Sequence, residues 1–120
     1  MGKDVVRLTV EFTVNDGQLE DFRKLAKAMT AGSEAEPGTL AYEWFSSADG
    51  MRCRLLETYV NADAVLAHFT GPVVAELVPK LVQLCRIDRF VIDGDAGPQV
   101  TQMAGAMGAE FFAYRGGLTR

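Results

Sequence analysis

The chain has 120 residues, of which 48% are hydrophobic and 23% are charged, and its formal net charge is -4. This length fits one domain with a real hydrophobic core and leaves little margin for a second. Because nucleic-acid and anionic-membrane surfaces need clustered Lys and Arg, and the basic residues here form no cluster, both kinds of partner are excluded.

Location and metal binding can also be addressed from composition. No window of the sequence is expected to approach a membrane span and no apolar leader opens it, so a cytoplasmic protein is predicted. Cys53 and Cys85 lie in apolar runs and are predicted to be buried thiols rather than a disulfide. With a single histidine, His68, the chain lacks the ligand spacing of a zinc or iron site, so no metal is predicted.

The first predicted elements are a strand and a helix. Apolar residues alternate with polar ones from Val6 to Val14, which is typical of a half-buried strand. Asn15 or Asp16 is expected to cap the following helix, which has one apolar face. The helix should end before Glu36, because the residue that precedes a proline is driven out of the α region.

A β-hairpin is predicted next, with strands over residues 40–45 and 53–59. Pro37-Gly38 opens it and Asp49-Gly50 joins its strands. Large apolar side chains occur on both faces of its strands, and such strands must be covered on both faces. Since the helices of one chain can cover only one face, an obligate homodimer is predicted.

The second half of the chain predicts a helix, a helical piece and a fourth strand. Asn61 should cap the helix that carries His68, Gly71-Pro72 should break it, and Pro79 should make the end of the next helical piece irregular. A strand over residues 87–92 follows. The order βαββαβ predicts an α+β protein with the ferredoxin-like split βαβ arrangement.

The remaining residues form a tail. We divide the chain into a domain over residues 1–97 and a C-terminal extension over residues 98–120 that packs on the same domain. A short helix that ends at Gly108 and an aromatic strand or flap over residues 110–114 are expected. The extension should be ordered, on the dimer or over a pocket mouth, because its Met and aromatic side chains would otherwise form a large exposed apolar patch.

The sequence around the hairpin resembles the antibiotic biosynthesis monooxygenase family, which includes quinol monooxygenases. The resemblance rests on Glu36-Pro37-Gly38-Thr39-Leu40 with Tyr42-Glu43, on Glu57 and Tyr59, and on Ala67-His68. It implies that two ferredoxin-like chains pair their sheets into a dimeric α+β barrel, with a pocket between each sheet and its helices. It also implies oxygenation of a small phenol or quinol by O2 without flavin, haem or metal, since an electron-rich phenolate can pass an electron to oxygen itself.

Two features depart from that family's pattern. Members often carry a second histidine in a Ser-Pro-His run, where this chain has Thr70-Gly71-Pro72-Val73. Haem-degrading relatives use an asparagine in the first strand and a tryptophan late in the third, whereas residues 7–9 hold no asparagine and Tyr59 stands in the aromatic place. Haem degradation is therefore disfavoured.

His68 is the candidate catalytic residue. An imidazole titrates near neutral pH and suits a general base or a donor to a substrate oxygen. A hydrogen-bonded structural histidine is the alternative.

Four further residues are candidates for binding the substrate: Tyr42, Trp44, Glu57 and Tyr59. Glu57 is interpreted as either paired, with Arg54 or Arg89, or held with a raised pKa. The three aromatic residues either line the pocket or pack in the core.

Two functions stay open at this point. The first is a cofactor-independent monooxygenase that acts on a small phenolic or quinol substrate with O2. The second is a non-catalytic small-ligand-binding or isomerase member of the same fold, because fold alone does not fix function.

Overall fold

The computed structural model describes residues 4–120. Their backbone forms one five-stranded sheet with helices on one face. The elements in chain order are β1 (Val6–Val14), α1 (Leu19–Glu34), β2 (Thr39–Ser46), β3 (Arg52–Tyr59), α2 (Ala62–Phe69), a π-helical segment (Val73–Leu77), α3 (Val78–Leu84), β4 (Cys85–Asp93), α4 (Gly97–Ala106) and β5 (Glu110–Phe112).

The strand order across the sheet is β2-β3-β1-β4-β5. The pairs β2–β3, β3–β1 and β1–β4 are antiparallel, and β5 pairs in parallel with β4. The βαββαβ order and the central place of β1 confirm the predicted ferredoxin-like α+β fold. The short β5 adds one strand beyond that arrangement.

The sheet has two faces with different side chains. On the inner face, which the helices cover, Leu8 of β1 lies opposite Glu57 of β3 and Ile92 of β4. On the outer face the next residue, Thr9, lies opposite Leu56 and Val91. Because successive side chains of a strand alternate between faces, each strand contributes to both environments.

The core lies between the inner face and the helices. Val6, Leu8, Phe12 and Val14 are buried there, as their alternation predicts. Burying one large apolar side chain fully contributes roughly 1.5–3 kcal/mol. Cys53 and Cys85 are free, buried thiols in this core, which confirms the prediction made for them.

The start of α1 differs from the prediction. Gln18 is the N-cap residue and makes no side-chain capping bond. The Asn15 carbonyl instead accepts from the Gln18 amide at 3.0 Å, and the Asn15 side chain donates to the Gln83 carbonyl at 3.2 Å. The predicted cap at Asn15 or Asp16 was wrong because these residues form the turn before the helix.

The start of α2 confirms its prediction. The Asn61 side chain accepts from the Ala64 amide at 2.9 Å and caps the helix. A Cβ added at Gly38 would lie 2.5 Å from the Ala64 Cβ, so the turn before β2 packs closely on this first turn. That close approach brings the residues around Pro37 beneath α2.

The predicted irregularity near Pro79 lies before this proline rather than after it. Pro79 has no N–H, so in a regular helix the carbonyl of Ala75 would lose its partner. The π-helical segment Val73–Leu77 contains Ala75, and α3 then continues regularly to Leu84.

The helical stretch Ala62–Leu84 has 23 residues and is long and apolar enough to cross a membrane by length and composition. The expectation that no segment is long and apolar enough to span a membrane was therefore wrong by length and composition. In the fold the stretch lies on the core and buries Val65, Phe69 and Leu81. Core helices pass the same test.

The tail folds back beside α2. Val100 and Ala104 of α4 are buried, whereas Met107, Phe111 and Phe112 keep 42–49% of their surface exposed. The positive φ of Gly108, 86°, follows the end of α4. Packing of these exposed side chains on a second copy stays a prediction.

Candidate active site

His68 lies in the last turn of α2, with its ring directed at the sheet. The residue is 3% exposed. Its ring centroid is 5.4 Å from that of Tyr59, 5.7 Å from that of Tyr42 and 6.3 Å from that of Phe69. Aromatic rings thus surround the imidazole and exclude water from it.

Glu36 holds one ring nitrogen of His68. The Nδ1 atom lies 2.8 Å from Oε1 and 3.1 Å from Oε2 of this carboxylate. The Thr39 hydroxyl donates to the same Oε1 at 2.8 Å and helps to fix its position. Because a carboxylate can only accept, Nδ1 is the donor of this bond, and Nε2 is the ring nitrogen left for a further partner.

Glu57 faces that free nitrogen. It lies on the inner face of β3 between Leu8 and Tyr42 of the neighbouring strands and is 5% exposed. Its Oε1 is 3.7 Å from the Nε2 of His68 and accepts a hydrogen bond from the Tyr59 hydroxyl. The spacing leaves no direct hydrogen bond between Glu57 and His68.

The environment of Glu57 favours its protonated form. Burial is the largest cause and raises the pKa of Glu57, and the charge of Glu36 adds to this effect. The positive form of His68 and the bond from Tyr59 act in the opposite direction. Of the two interpretations offered by the sequence, this environment favours the raised pKa.

The predicted pairing of Glu57 with an arginine was wrong. Arg54 lies 3.8 Å from Glu11, and Arg89 lies 2.8 Å from Glu110. These side chains extend from the outer face, whereas Glu57 extends from the inner one. Strand alternation separates them by the thickness of the sheet.

The two tyrosines at the site differ in their partners. Tyr59 is fully buried and its hydroxyl donates to Glu57. The Tyr42 hydroxyl is also buried; it makes no hydrogen bond of good geometry among the described residues, and the Ser33 side chain is the polar group beside it. Burial raises the pKa of both phenols well above their usual range, so both remain protonated at neutral pH.

A cavity of about 70 Å³ adjoins this cluster. Tyr42, Glu57 and His68 form its polar part. The rest of its wall is apolar and includes Met107, which follows α4 in the extension. The remaining lining residues are Leu8, Val10, Phe12, Met29, Leu55, Phe69, Val74, Val78, Leu81, Ile87 and Phe90.

Trp44 lies one side chain away from this cavity. Its ring is 5.9 Å from Phe12 and 5.8 Å from Phe22, and its Nε1 donates to the Thr30 hydroxyl at 2.9 Å. It borders a separate groove of about 540 Å³ between α1 and the hairpin. The structure therefore brings four of the five candidate residues together and leaves Trp44 in contact only through Tyr42, with ring centroids 6.0 Å apart.

The sequence interpretation assigned no role to Glu36. Its contact with His68 spans 32 positions of the chain, which no local periodicity can reveal. The one available signal was its place before Pro37, in a turn that has to pack near the helix after the hairpin. Among residues 4–120, no group of three His, Cys, Asp or Glu side chains could hold a metal ion.

The arrangement therefore supplies both a proton acceptor and a proton donor in one apolar space. The Nε2 of His68 can accept a proton, and Glu36 stabilises the ring when it becomes charged. Glu57, with its raised pKa, can donate a proton. These groups are suited to acid–base chemistry on a small molecule.

The fold and this site define a class of protein, the ferredoxin-like α+β proteins that enclose a small-molecule cavity between sheet and helices. The chain belongs to the antibiotic biosynthesis monooxygenase family, which matches residues 5–80. This confirms the family resemblance of the hairpin sequence. A comparison with curated protein sequences found no match.

Several solved structures share the fold. MupZ from Pseudomonas fluorescens is 22% identical, with a TM-score of 0.85, and the match covers 98% of this chain and 95% of that one. A protein of unknown function from Bacteroides thetaiotaomicron, described as a possible oxidoreductase, is 28% identical over 75% of this chain and 96% of its own, with a TM-score of 0.69. SnoaB from Streptomyces nogalater, a cofactor-independent oxygenase, is 16% identical over 79% and 96%, with a TM-score of 0.67.

Proposed function

We propose that this protein is a cofactor-independent monooxygenase that acts on a small phenol or quinol with O2. The observation that carries the proposal is the Glu36–His68 pair, whose histidine lines a largely apolar cavity. Family membership and the likeness to SnoaB, a cofactor-independent oxygenase, support the same reaction type.

In this proposal His68 starts the reaction. Its Nε2 takes the proton of the substrate hydroxyl, and Glu36 stabilises the resulting imidazolium through Nδ1–H. The phenolate passes an electron to O2, and the two radicals combine at a ring carbon. A phenol that becomes a quinone gains one oxygen atom and releases the other as water, so the substrate supplies all the electrons and no flavin, haem or metal is required.

The apolar wall has a part in the same scheme. It keeps water away from the phenolate and from the oxygen adduct, which prevents side reactions. Glu57, whose burial raises its pKa, is proposed as the acid near the site where the O–O bond breaks and water has to leave. Glu57 is thus proposed to bind the substrate and return the proton.

We also propose that the protein is a cytoplasmic homodimer. In the described part of the chain no helix covers the outer face of the sheet, and Phe45 on that face is 51% exposed. A second copy would cover it, and an obligate interface of this kind buries over about 2,000 Å². Sedimentation should give twice the chain mass of 13.0 kDa at micromolar concentration, and the mass of one chain would contradict the dimer.

A second function is favoured by one specific observation. Two carboxyl groups flank a single histidine in unlike environments: Glu36 keeps 16% of its side chain exposed and Glu57 keeps 6%. A histidine with a carboxyl group at each ring nitrogen can take up a proton at one side and release it at the other. An isomerase that moves a proton between two atoms of a ligand, without O2, would use the same residues.

Oxygen uptake by metal-free protein separates these functions. With a panel of phenols and quinols, the monooxygenase proposal expects O2 consumption and one atom of labelled oxygen in the product. His68→Ala serves as the matched low-activity control. Exchange of ligand hydrogens with deuterated water under nitrogen, with no O2 uptake in air, would favour the isomerase. Binding with neither activity would leave a ligand-binding protein.

A further inference from the structure

The cavity beside His68 has a mouth at the protein surface. Most of its lining residues are buried, but Val74, Val78 and Ile87 are half-buried and Met107 is 49% exposed. These four side chains come from the helical stretch after α2, from strand β4 and from the end of α4. All four are apolar, so the cavity opens to solvent between apolar edges.

Strand pairing explains why Met107 lies at this mouth. Strand β5 runs parallel to β4 and begins with Glu110 beside Val91. The residues just before Glu110 therefore lie beside the earlier part of β4, which carries Ile87. Ile87 is paired with buried Phe12 of the inner face, so the mouth is on the helix side of the sheet.

Exposed apolar side chains continue from the mouth across the extension. Met103 lies one helical turn before Met107 in α4 and is 39% exposed. Phe111 is paired with buried Ile92 on the inner face and is 42% exposed. Its ring lies 3.9 Å from a Cβ built at Gly105, so it packs beside α4. We call Met103, Met107 and Phe111 the mouth patch; contiguous exposed apolar surface of this kind marks a binding site.

The cavity is too small to enclose a whole substrate. Its volume is about 70 Å³, whereas a void of roughly 150 Å³ holds benzene and typical small-molecule pockets have about 300–1,000 Å³. A single ring can enter when Met29 and Met107 adjust, since methionine is an adaptable apolar side chain. Any longer group attached to that ring has to leave through the mouth.

A second copy of the chain is the other candidate for covering the mouth patch. The proposed homodimer uses the outer face of the sheet, which carries Phe45. Phe111 and Phe112 are neighbours on β5, so their side chains lie on opposite faces and Phe112 belongs to the outer one. The mouth patch is thus on the opposite side of the sheet from the proposed dimer contact, and through Met107 it is continuous with the cavity.

We propose that the substrate is elongated, with a small ring in the cavity beside His68 and an apolar chain of several carbons that leaves through the mouth and lies on the mouth patch. The inference rests on the proposed function, since it names the substrate class of the same cavity. It makes Met103 and Phe111 specificity-determining residues, although neither lines the cavity itself.

The test is a chain-length series of 4-methylphenol, 4-propylphenol and 4-hexylphenol, titrated by calorimetry under nitrogen. A fully buried CH2 group strengthens binding about fourfold, and one buried on only one side strengthens it about twofold. We therefore expect 4-hexylphenol to bind about thirtyfold more tightly than 4-methylphenol.

The double variant Met103→Ser/Phe111→Ser should reduce this affinity ratio to below about fivefold, because the chain would then lie on polar surface. Leu118→Ser is the matched control, since Leu118 is 76% exposed and outside the cavity and the mouth patch, and it should keep the ratio. In the wild-type protein, the methyl carbon-13 signal of Met103 should shift with 4-hexylphenol and stay in place with 4-methylphenol. Met51, which is outside the cavity, is the reference signal.

Equal affinities along the series, an unchanged ratio in the double variant, the same reduction in Leu118→Ser, no binding of any phenol, or an unmoved Met103 signal would each overturn the proposal. A double variant that sediments at half the wild-type mass would assign the mouth patch to a second copy and overturn it as well.

The same data separate this inference from the proposed function, because affinities measured without O2 do not depend on oxygenation. A protein that shows the expected ratio and consumes no O2 would contradict the proposed function alone. O2 uptake with alkylated hydroquinones that does not depend on chain length would contradict the elongated substrate alone.

Discussion

The two faces of the sheet hold glutamates in opposite environments within a single chain. Glu57 on the inner face is buried beside His68 and Tyr59. Arg54 on the outer face has 60% of its side chain exposed and meets Glu11, which is 34% exposed. An exposed ion pair contributes only about 0–1 kcal/mol, whereas a buried carboxyl group has to be neutralised or bonded. Position along a strand, more than residue type, decides which glutamate can do chemistry.

The largest loss of activity is expected from His68→Ala on the inner face. We expect kcat on a quinol to fall by about 10² to 10⁴, because the free Nε2 is the proposed base. The measurement is turnover beside thermal unfolding of the same variant. A folded variant with unchanged turnover would assign His68 a structural role only.

Tyr59→Phe tests the hydrogen bond to Glu57 and leaves His68, the proposed base, in place. The substitution deletes the hydroxyl that donates to buried Glu57 and should lower the free energy of unfolding by about 1–3 kcal/mol. Tyr114→Phe at an exposed site is the control and should have almost no effect. Equal stabilities of the two variants in denaturant titrations would show that the Tyr59 bond does not hold Glu57.

The pH dependence of stability follows from the raised pKa of Glu57. The folded state keeps a proton that the unfolded chain loses near pH 4.3, so the contribution of Glu57 is fully present below that pH and is lost as pH rises through its folded pKa. Relative to Glu57→Gln, the wild-type protein should therefore lose stability as pH rises from about 4 upward. Parallel curves for the two proteins in denaturant titrations would count against this.

The smallest effect is expected at a side chain that lies on neither face of the sheet. Lys80 of α3 is exposed, and Lys80→Ala should change the free energy of unfolding by less than about 0.5 kcal/mol. The variant should retain full turnover, since Lys80 is not among the residues that line the cavity. A loss above about 1 kcal/mol in denaturant titrations would mean that this helix surface is buried in the assembled protein.

Much of the fold could be predicted because its signals are local. The alternation in Val6–Val14 and the cap at Asn61 need only neighbouring residues, and both were confirmed. The cap predicted at Asn15 or Asp16 failed because these residues form the turn before the helix, which begins only after Gln18.

The site was only partly predictable because its contacts are long-range. Nothing near Glu36 in sequence reveals that His68 will lie against it. The pairing of Glu57 with Arg54 could have been rejected from sequence, since residues three apart in one strand face opposite sides. That Trp44 lies beyond the cavity depends on the packing of Phe12 and Phe22 around it.

The most direct test of the account is the titration of Glu57, followed by carboxyl carbon-13 NMR on protein labelled at glutamate. The account predicts one signal that titrates above the usual glutamate value of about 4.3 and is absent in Glu57→Gln. Titration of the Glu57 signal at or below the usual value would contradict it, because the cavity would then hold an ordinary carboxylate and no buried acid.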